Sequence, residues 1–294
     1  QYRRADELLL VLNEKDVFAP VHRAVGKLKA LGLPRIAAGA SLKADTQKAL
    51  DLAHSALRLG GAAPSLVIAA YTCTHDAEKV RARLRELVPP NTPFVGVSSC
   101  RGVVANGQWF SSSKSKALGL WAISDDRGDY QVVHILELGD DAQQVVADRV
   151  AAKMEGRSMP QFVLCFSRLG FSEAVLKGIK SVVGAVPVFG GTAADNDLAG
   201  DWSQFSSESE KCSTNGVVLV FGWSSVEVSC YMSSGFQPTE QKGVATKTDG
   251  STILEIDGNN VKVLATDGER RLGGQRHVGC RLQALLVAED EDLV

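Results

Sequence analysis

Two stretches of this chain, residues 35–123 and 131–222, carry the same features in the same order, which favours a fold built from two copies of one unit. In each stretch a polar residue precedes a helical pattern, a glycine ends it, and a proline opens the next apolar run. Equivalent positions lie 96 residues apart: Asp45 and Asp141, Gly60 and Gly156, Pro64 and Pro160, Asp76 and Ser172. We interpret this order as an internal duplication, with Asp76 and Ser172 as helix N-caps.

Each copy reads as strand, helix, strand, helix, strand, loop and strand. Short apolar runs, such as 66–70 and 162–166, alternate with patterns in which apolar residues recur every three or four positions, as they do after Asp45. Such alternation is typical of parallel strands that are buried on both faces and joined by right-handed crossovers. The sequence therefore predicts an α/β fold with a duplicated β-α-β-α-β-β unit, mostly parallel sheets and a C-terminal antiparallel segment.

The segment after the repeat has a different character. Apolar and polar residues alternate from Val226, and Ile256 is followed by Asp257-Gly258, a pair typical of hairpin turns. We therefore expect antiparallel strands over residues 224–261. The chain is predicted to divide into four regions: a lead-in (1–34), a first α/β repeat (35–130), a second repeat with the antiparallel segment (131–261) and a divergent tail (262–294).

Composition limits the partners and the compartment. The net charge of −2 and pI near 6.3 give no electrostatic footprint for nucleic acid. No apolar run approaches the ~18 residues of a membrane-spanning helix. The six cysteines form no CxxC pair, which indicates a reducing compartment, the cytoplasm. Because Gln1 rather than Met stands first, the alternative is an organelle such as the chloroplast, after removal of a targeting peptide.

Small and polar residues follow the third strand of each copy, in the loops 96–102 and 190–196. Small residues let backbone approach a ligand closely, and ligands of open α/β sheets bind beyond the carboxyl ends of strands. We expect the two loops to face a shared hollow; the alternative is that their glycines only permit sharp turns and tight packing. The candidate ligand-binding residues are Gly96, Ser98, Ser99, Cys100, Arg101, Gly190, Gly191, Thr192 and Asp195.

Catalytic and metal-binding patterns are weak. Cys100 has neighbours that could lower its thiol pKa, but no histidine lies near it in sequence, and Ala194 stands at the matching place in the second copy. Cys73 and His75 lack a second pair with ligand spacing, and His75 fits better as a residue that helps to begin the helix at Asp76. No P-loop or GxGxxG is present. We expect no catalytic residue, no metal and no cofactor.

Five blocks of the sequence resemble the FIST family, over roughly residues 35–261. They are Ile36–Ser41, Phe94–Gly102, Val188–Asp195, Gly235–Pro238 and a C-terminal block of 244–247 with 254–258. The resemblance implies a sensory role, in which a small ligand such as an amino acid is bound and the signal passes to an attached or partner domain. Where the family usually has Pro-Ala after the Asp-Gly pair, this chain has Asn259-Asn260, and the tail beyond Val263 shows no likeness to the family.

Three functions remain open at this point. The first is a non-catalytic sensory module that binds a small ligand and relays it to a protein partner. The second is a structural or scaffolding subunit of a larger complex, with a vestigial pocket. The third is a cysteine-dependent enzyme centred on Cys100.

Overall fold

The structure, a computed structural model, describes residues 33–260 except 113, 115, 198, 230–242 and 250–251. The predicted lead-in up to residue 32, the tail and the block Gly235–Pro238 lie outside the described residues. Contacts divide the chain into two units, 1–230 and 231–294, and each is described by itself.

Within the described residues the first unit has four helices and eleven strands. The helices are α1 (Thr46–Ser55), α2 (Ala77–Leu87), α3 (Ala142–Met154) and α4 (Ser172–Val183). The strands of the first half are β1 (Arg35–Ser41), β2 (Leu66–Thr72), β3 (Phe94–Ser99), β4 (Gly102–Ala105), β5 (Gln108–Ser111) and β6 (Leu118–Ser124). Those of the second half are β7 (Asp129–Ile135), β8 (Phe162–Ser167), β9 (Val188–Thr192), β10 (Gln204–Ser206) and β11 (Val217–Trp223).

Two mixed sheets form the centre of the unit. One has the strand order β1-β6-β2-β3-β10 and the other β7-β11-β8-β9. The last strand of each half, β6 or β11, lies between the first two and runs antiparallel to both. Among the pairs in these two sheets, β2–β3 and β8–β9 are the parallel ones.

The prediction of mostly parallel sheets is therefore wrong. The apolar runs that suggested parallel strands record burial on both faces, and burial does not depend on strand direction. In β11, for example, six consecutive residues from Val217 to Gly222 are buried between antiparallel neighbours. The α/β class itself is confirmed.

The elements stack in four layers, helix, sheet, sheet and helix. Helices α1 and α2 pack on one sheet through Leu50 and Leu84 against residues such as Leu120. Helices α3 and α4 pack on the other sheet through a separate cluster. A third cluster joins the two sheets, with Leu66 and Val220 among its members. Alternate residues of one strand serve different clusters, which explains the continuous apolar runs.

Three of the four residues predicted to precede helices, Asp45, Asp76 and Asp141, lie at the N-cap position. The carboxylates of Asp45 and Asp76 accept hydrogen bonds from the backbone N–H groups of the residues three positions on. Asp141 precedes α3 without a side-chain capping bond. Ser172 is not the N-cap of α4, because helical geometry begins with Ser172 itself and Phe171 occupies the cap position.

The second unit is described over a three-stranded antiparallel sheet, β12 (Ala245–Asp249), β13 (Thr252–Ile256) and β14 (Asn259–Asn260). Asp257 and Gly258 join the last two strands with φ angles of 51° and 76°. Positive φ at both central residues is what a type I′ turn requires, so the predicted hairpin is confirmed.

Candidate functional site

The loops that follow β3 and β9 meet in space. The backbone N–H of Ala194 donates to the carbonyl of Ser98 at 3.0 Å. The N–H of Arg101 donates to Oδ1 of Asn196 at 2.8 Å. The predicted turns of the two halves are therefore in direct hydrogen-bonded contact, and a displacement of one loop strains the bonds of the other.

Ser98 ties this contact to the segment before β10. Its N–H donates to the carbonyl of Ser203 at 2.8 Å, and its hydroxyl accepts from the N–H of Ser203 at 2.9 Å. Ser98 is buried, so its polar atoms are used inside the protein rather than turned towards solvent. Within the predicted site Ser98 therefore has a structural role, since it holds the loop to the segment before β10.

The turn after Ser98 is closed by local bonds. The Ser99 hydroxyl donates to the carbonyl of Gly102, and the N–H of Gly102 donates to the carbonyl of Cys100 at 2.8 Å. Arg101, at the centre of this three-residue turn, has φ of 60°. Cys100 is exposed and Arg101 is half-buried, so these two side chains remain within reach of a molecule in solution.

Position 96 has no room for a side chain, because the side chain of another residue fills that space. A Cβ atom built on Gly96 would lie 2.1 Å from Cζ of Phe205, the residue opposite it in β10. Phe205 is itself stacked on Tyr71 at a centroid distance of 5.7 Å. Gly96 therefore permits tight packing, which was the alternative interpretation of this glycine from the sequence.

The two glycines of β9 have different surroundings. Gly190 has φ of 149°, and a Cβ there would lie 2.0 Å from the carbonyl oxygen of Cys165 in β8. Gly191 is exposed, and a Cβ there would meet nothing within 4 Å. Thr192 is half-buried at the end of the strand. Open space is thus found at Gly191 and not at Gly190.

Asp195 organises the loop in which it lies. Its Oδ2 accepts from the N–H groups of Gly200 at 2.6 Å and Asp201 at 3.0 Å, and its side chain is buried. The carboxylate therefore folds the segment 195–201 back on itself, a role typical of aspartate in loops.

Cys73 and Tyr71 also belong to this region, although the sequence analysis did not place them there. Both lie at the carboxyl end of β2, which is next to β3 in the sheet. The Tyr71 hydroxyl is 2.9 Å from Oγ of Ser203. Burial raises the pKa of the Cys73 thiol, and the carboxylates of Asp195 and its neighbours raise it further. The signal that could have found them is their position one strand away from Ser98.

His75 lies nearby, at the start of α2. Its Nδ1 is 3.2 Å from the hydroxyl of Thr46, and burial, helped by Lys116, lowers the pKa of His75 to about 4. No group of three or more metal-ligating side chains occurs among the residues that the structure describes.

The cavity with a volume of about 320 Å³ is not at these loops. It lies at the other end of β3, lined by residues that include Arg85, Phe94, Val132 and Glu208. A second cavity of about 300 Å³ adjoins it and shares the proline-rich loop 90–93. Sequence patterns did not indicate either cavity, because the walls come from segments that are far apart in the chain.

The family model of the FIST N domain matches residues 65–259. Because that stretch is well over half of the chain, this protein belongs to the FIST family of sensory, ligand-binding signalling modules. The match begins after the block Ile36–Ser41, which therefore contributes nothing to it.

No curated protein matches the chain. Among solved structures, a cyanuric acid hydrolase from A. caulinodans aligns at 10% identity and a TM-score of 0.31, over 66% of this chain and 68% of that one. Another, titled as a cyanuric acid hydrolase that arose by structural concatenation, aligns at 14% identity and a TM-score of 0.28, over 64% and 69%. Similarity at this level carries no information about activity.

None of the helices in the described part of the chain has the length and apolar character that crossing a bilayer demands.

Proposed function

We propose that this chain is a non-catalytic sensory module that binds a small metabolite, an amino acid or a related compound, and relays binding to a protein partner. The observation that supports it most is the hydrogen-bonded contact between the loops of the two halves, Ala194 with Ser98 and Asn196 with Arg101. A ligand that orders one loop changes the geometry of the other, which is the coupling that a sensor needs.

Of the nine predicted site residues, six are exposed or half-buried: Ser99, Cys100, Arg101, Gly190, Gly191 and Thr192. The Ser99 hydroxyl is used within its own turn, and Gly190 has no room for a side chain beside Cys165. We therefore propose Cys100, Arg101, Gly191 and Thr192 as the contact surface and assign the other five, among them the buried Gly96, Ser98 and Asp195, to positioning.

A hairpin that directly follows the contact surface in the chain can connect it to a protein partner. The hairpin β4–β5 begins at Gly102, directly after the turn, and carries Val104 opposite Trp109. Those two side chains are 50% and 60% exposed. An exposed aromatic beside an aliphatic residue is typical of protein-binding surfaces, so the hairpin is the proposed output of the sensor.

The similar order of β1-β6-β2-β3 and β7-β11-β8-β9, with the same strand directions, supports an internal duplication. We propose that each half contributes one loop to the ligand surface for this reason. The tight packing at Gly96, where the second half supplies Phe205, indicates that the copies have since diverged.

The test is a thermal-unfolding screen with the twenty amino acids and related metabolites. A ligand present at about 100 times its dissociation constant adds about 2.7 kcal/mol to the free energy of unfolding. The affinity of any stabilising compound is then measured for Thr192→Val, which removes the reachable hydroxyl. Thr246→Val in the second unit is the matched control. Absence of any stabilising compound contradicts the proposal.

The scaffolding alternative is favoured by the same exposed hairpin. If Trp109→Ser abolishes capture of a partner while no metabolite alters stability, the chain acts as a scaffold. A metabolite that changes partner affinity, in either direction, assigns it to sensing.

A further inference from the structure

The edge of the second sheet lines the 320 Å³ cavity through Tyr130, Gln131 and Val132 of β7. In antiparallel pairing the N–H and C=O of one residue point to the same side, and the side alternates along the strand. The carbonyl of Gly216 accepts from Arg168, which directly follows β8. Leu219, three residues on, therefore faces β7 and pairs with Val133. Val132 accordingly directs its N–H and C=O away from β11, towards the open edge.

A neighbouring residue supports this assignment. His134 has the same orientation as Val132, and its carbonyl accepts a hydrogen bond from Nη2 of Arg149 at 3.5 Å, from outside the sheet. At Val132 the edge is bordered by the cavity instead. A single residue with both groups unpaired can form two hydrogen bonds with one amide-bearing ligand residue, as in β-strand addition.

The opposite wall of the cleft is restricted in conformation. Pro89, Pro90 and Pro93 hold the loop to few conformations, and the carbonyls of Pro89 and Pro93 accept from the backbone N–H groups of Thr92 and Val67, both at 3.1 Å. This loop is anchored by Thr92, whose hydroxyl donates to the carbonyl of Pro64 at 3.4 Å. A wall that is already ordered reduces the entropy lost when a ligand binds.

One cation lines the same cavity. Arg85 donates from Nη2 to the carbonyl of Ser207 at 2.7 Å, and its guanidinium lies 5.4 Å from the ring centroid of Phe94. Its nearest ion pair, with Glu210, is long at 3.8 Å, and the Arg85 side chain is 43% exposed. The guanidinium therefore has N–H groups left to donate to a planar anion. A carboxylate matches the geometry of these donors best.

Ion pairs limit the length of what the cleft can hold. Lys153 pairs with Glu208, which lines the first cavity, and Arg157 pairs with Asp129, which lines the second. Lys153 lies on α3 and Arg157 just beyond its C-terminal end, and both reach acidic residues that line the two adjoining cavities. A long strand laid along this edge would have to break both pairs, whereas a short molecule fits between them.

From these features we propose that the cleft binds a short peptide-like acid, an N-acylated amino acid or a dipeptide, whose amide N–H donates to the carbonyl of Val132 and whose carboxylate accepts from the N–H of Val132 and pairs with Arg85. This site is separate from the loops at Ser98 and Asn196. The inference does not rest on the proposed sensory function, since it uses none of the same residues.

The experiment is a titration of the isotope-labelled chain with four probes. N-acetylalanine carries both the amide and the carboxylate, N-acetylalaninamide lacks the carboxylate, alanine lacks the amide, and N-acetyl-tetraalanine extends the chain. We expect N-acetylalanine to bind at least about tenfold more tightly than either truncated probe, since a charge-assisted hydrogen bond is lost in one and the backbone pair in the other. N-acetyl-tetraalanine, which shares the terminal carboxylate of a protein C-terminus, should bind no better.

Amide shifts give the location. The N–H resonance of Val132 should move on binding, while that of Val133, already bonded to β11, should move little. Arg85→Gln should weaken N-acetylalanine at least about tenfold and leave N-acetylalaninamide unchanged, and Arg85→Lys should be intermediate. Arg58→Gln is the control, because Arg58 also donates to a backbone carbonyl, that of Ser55, on the exposed side of α1.

Each result decides the matter. No binding of N-acetylalanine, equal binding of the acid and the amide, or an unchanged affinity in Arg85→Gln overturns the assignment. Tighter binding of N-acetyl-tetraalanine replaces a small metabolite with a protein C-terminus and overturns the length limit. A metabolite from the thermal screen that is lost in Thr192→Val but kept in Arg85→Gln leaves the sensory proposal intact, whatever happens here.

Discussion

At the scale of single residues, Gly190 illustrates how closely β8 and β9 approach. Its φ of 149° lies in the region that side chains rarely adopt, and its absent Cβ would point at the carbonyl of Cys165. Gly191, the next residue, has neither constraint. The two glycines are adjacent in sequence and alike in composition, yet only one is required by the packing.

Gly190→Ala is therefore expected to lower the free energy of unfolding by at least about 2 kcal/mol, through backbone strain and the clash with Cys165. Gly191→Ala is the matched control and should change it by less than about 0.5 kcal/mol. Urea-induced unfolding of both variants measures the difference. Equal stabilities would mean that β9 shifts freely to admit a side chain.

Asp125 is the second residue whose role follows from its contacts. Its Oδ2 accepts from the N–H of Ser225 at 2.9 Å and from the hydroxyls of Tyr130 and Ser224, both at 3.1 Å. Burial by itself would raise the pKa of Asp125, but these hydrogen bonds outweigh it and hold the pKa below its usual value. The charged carboxylate therefore joins the end of β6 to the starts of β7 and of the segment after β11.

This pKa predicts a dependence of stability on acid. A carboxyl whose folded pKa is depressed stabilises fully above its unfolded value of about 3.9, and that contribution is lost as the pH falls through the folded pKa. Asp125→Asn should be less stable than the parent at pH 7 by about 1–3 kcal/mol, and the difference should shrink below about pH 4. Urea unfolding at both pH values measures it, with exposed Asp126→Asn as the control. A difference that is independent of pH contradicts the assignment.

At the scale of elements, the helices of the two halves begin differently. Asp45 caps α1 with a hydrogen bond of 2.8 Å to the N–H of Lys48, whereas Asp141 has no such bond to α3. The backbone conformation differs as well: Asp45 is extended, with φ of −73° and ψ of 123°, as an N-cap residue usually is, whereas Asp141 has φ of −91° and ψ of 14°.

Asp45→Ala should accordingly lower the free energy of unfolding by about 1 kcal/mol, the usual cost of a lost N-cap. Asp141→Ala should lower it by less than about 0.5 kcal/mol. Denaturant unfolding of the two variants provides the comparison, and a similar loss in both would show that Asp141 does cap its helix in solution.

Cations on α3 and just after it also protect an exposed strand. Arg149 and Lys153 lie on α3 and Arg157 just beyond its end, and they reach His134, Glu208 and Asp129. Charged groups along an edge strand discourage pairing with other chains. The short opening between them at Val132 is the exception on which the cleft proposal depends.

At the scale of the whole molecule, each half carries one buried histidine that stays neutral. Burial, with help from Lys116 at His75 and from Arg149 at His134, lowers the pKa of both to about 4. Asp45 acts in the opposite direction on His75 but does not reverse the shift. His134 is held by the hydroxyl of Ser213 at 2.8 Å, at the junction of the two sheets.

These histidines predict that the protein loses stability in mild acid. In the unfolded chain histidine binds a proton below about pH 6.5, and in the folded chain it does so only below about pH 4. Between those values the unfolded state binds more protons, so the free energy of unfolding falls as the pH falls, by up to about 1.4 kcal/mol per pH unit for each histidine.

His75→Asn and His134→Asn should each reduce the slope of unfolding free energy against pH between about 6.5 and 4. Urea unfolding of the parent and of both variants at pH 7, 6 and 5 measures the slopes. This window lies above that of Asp125, so the two effects can be separated.

Local sequence patterns alone were enough to predict several helices and turns of the fold. The apolar spacing after Asp45 indicated α1, and Asp257-Gly258 indicated its hairpin, because these depend on interactions within a few residues. The loops after β3 and β9 are neighbours, as the sequence predicted, but hydrogen bonds join them directly, and the two cavities described above lie elsewhere. The resemblance to the FIST family, which rests on short sequence blocks in a fixed order, is confirmed by the family model that matches residues 65–259.

Tertiary structure alone decided the strand order and what fills each site. The antiparallel insertion of β6 and β11, the Phe205 ring over Gly96 and the cleft beside Val132 all depend on contacts between segments far apart in the chain. A glycine that admits a ligand and one that admits a phenylalanine look the same in sequence. The amino-acid sequence thus determined where helices, strands and turns occur, whereas packing decided which small residues are open to solvent, because that depends on the atoms brought against them by folding.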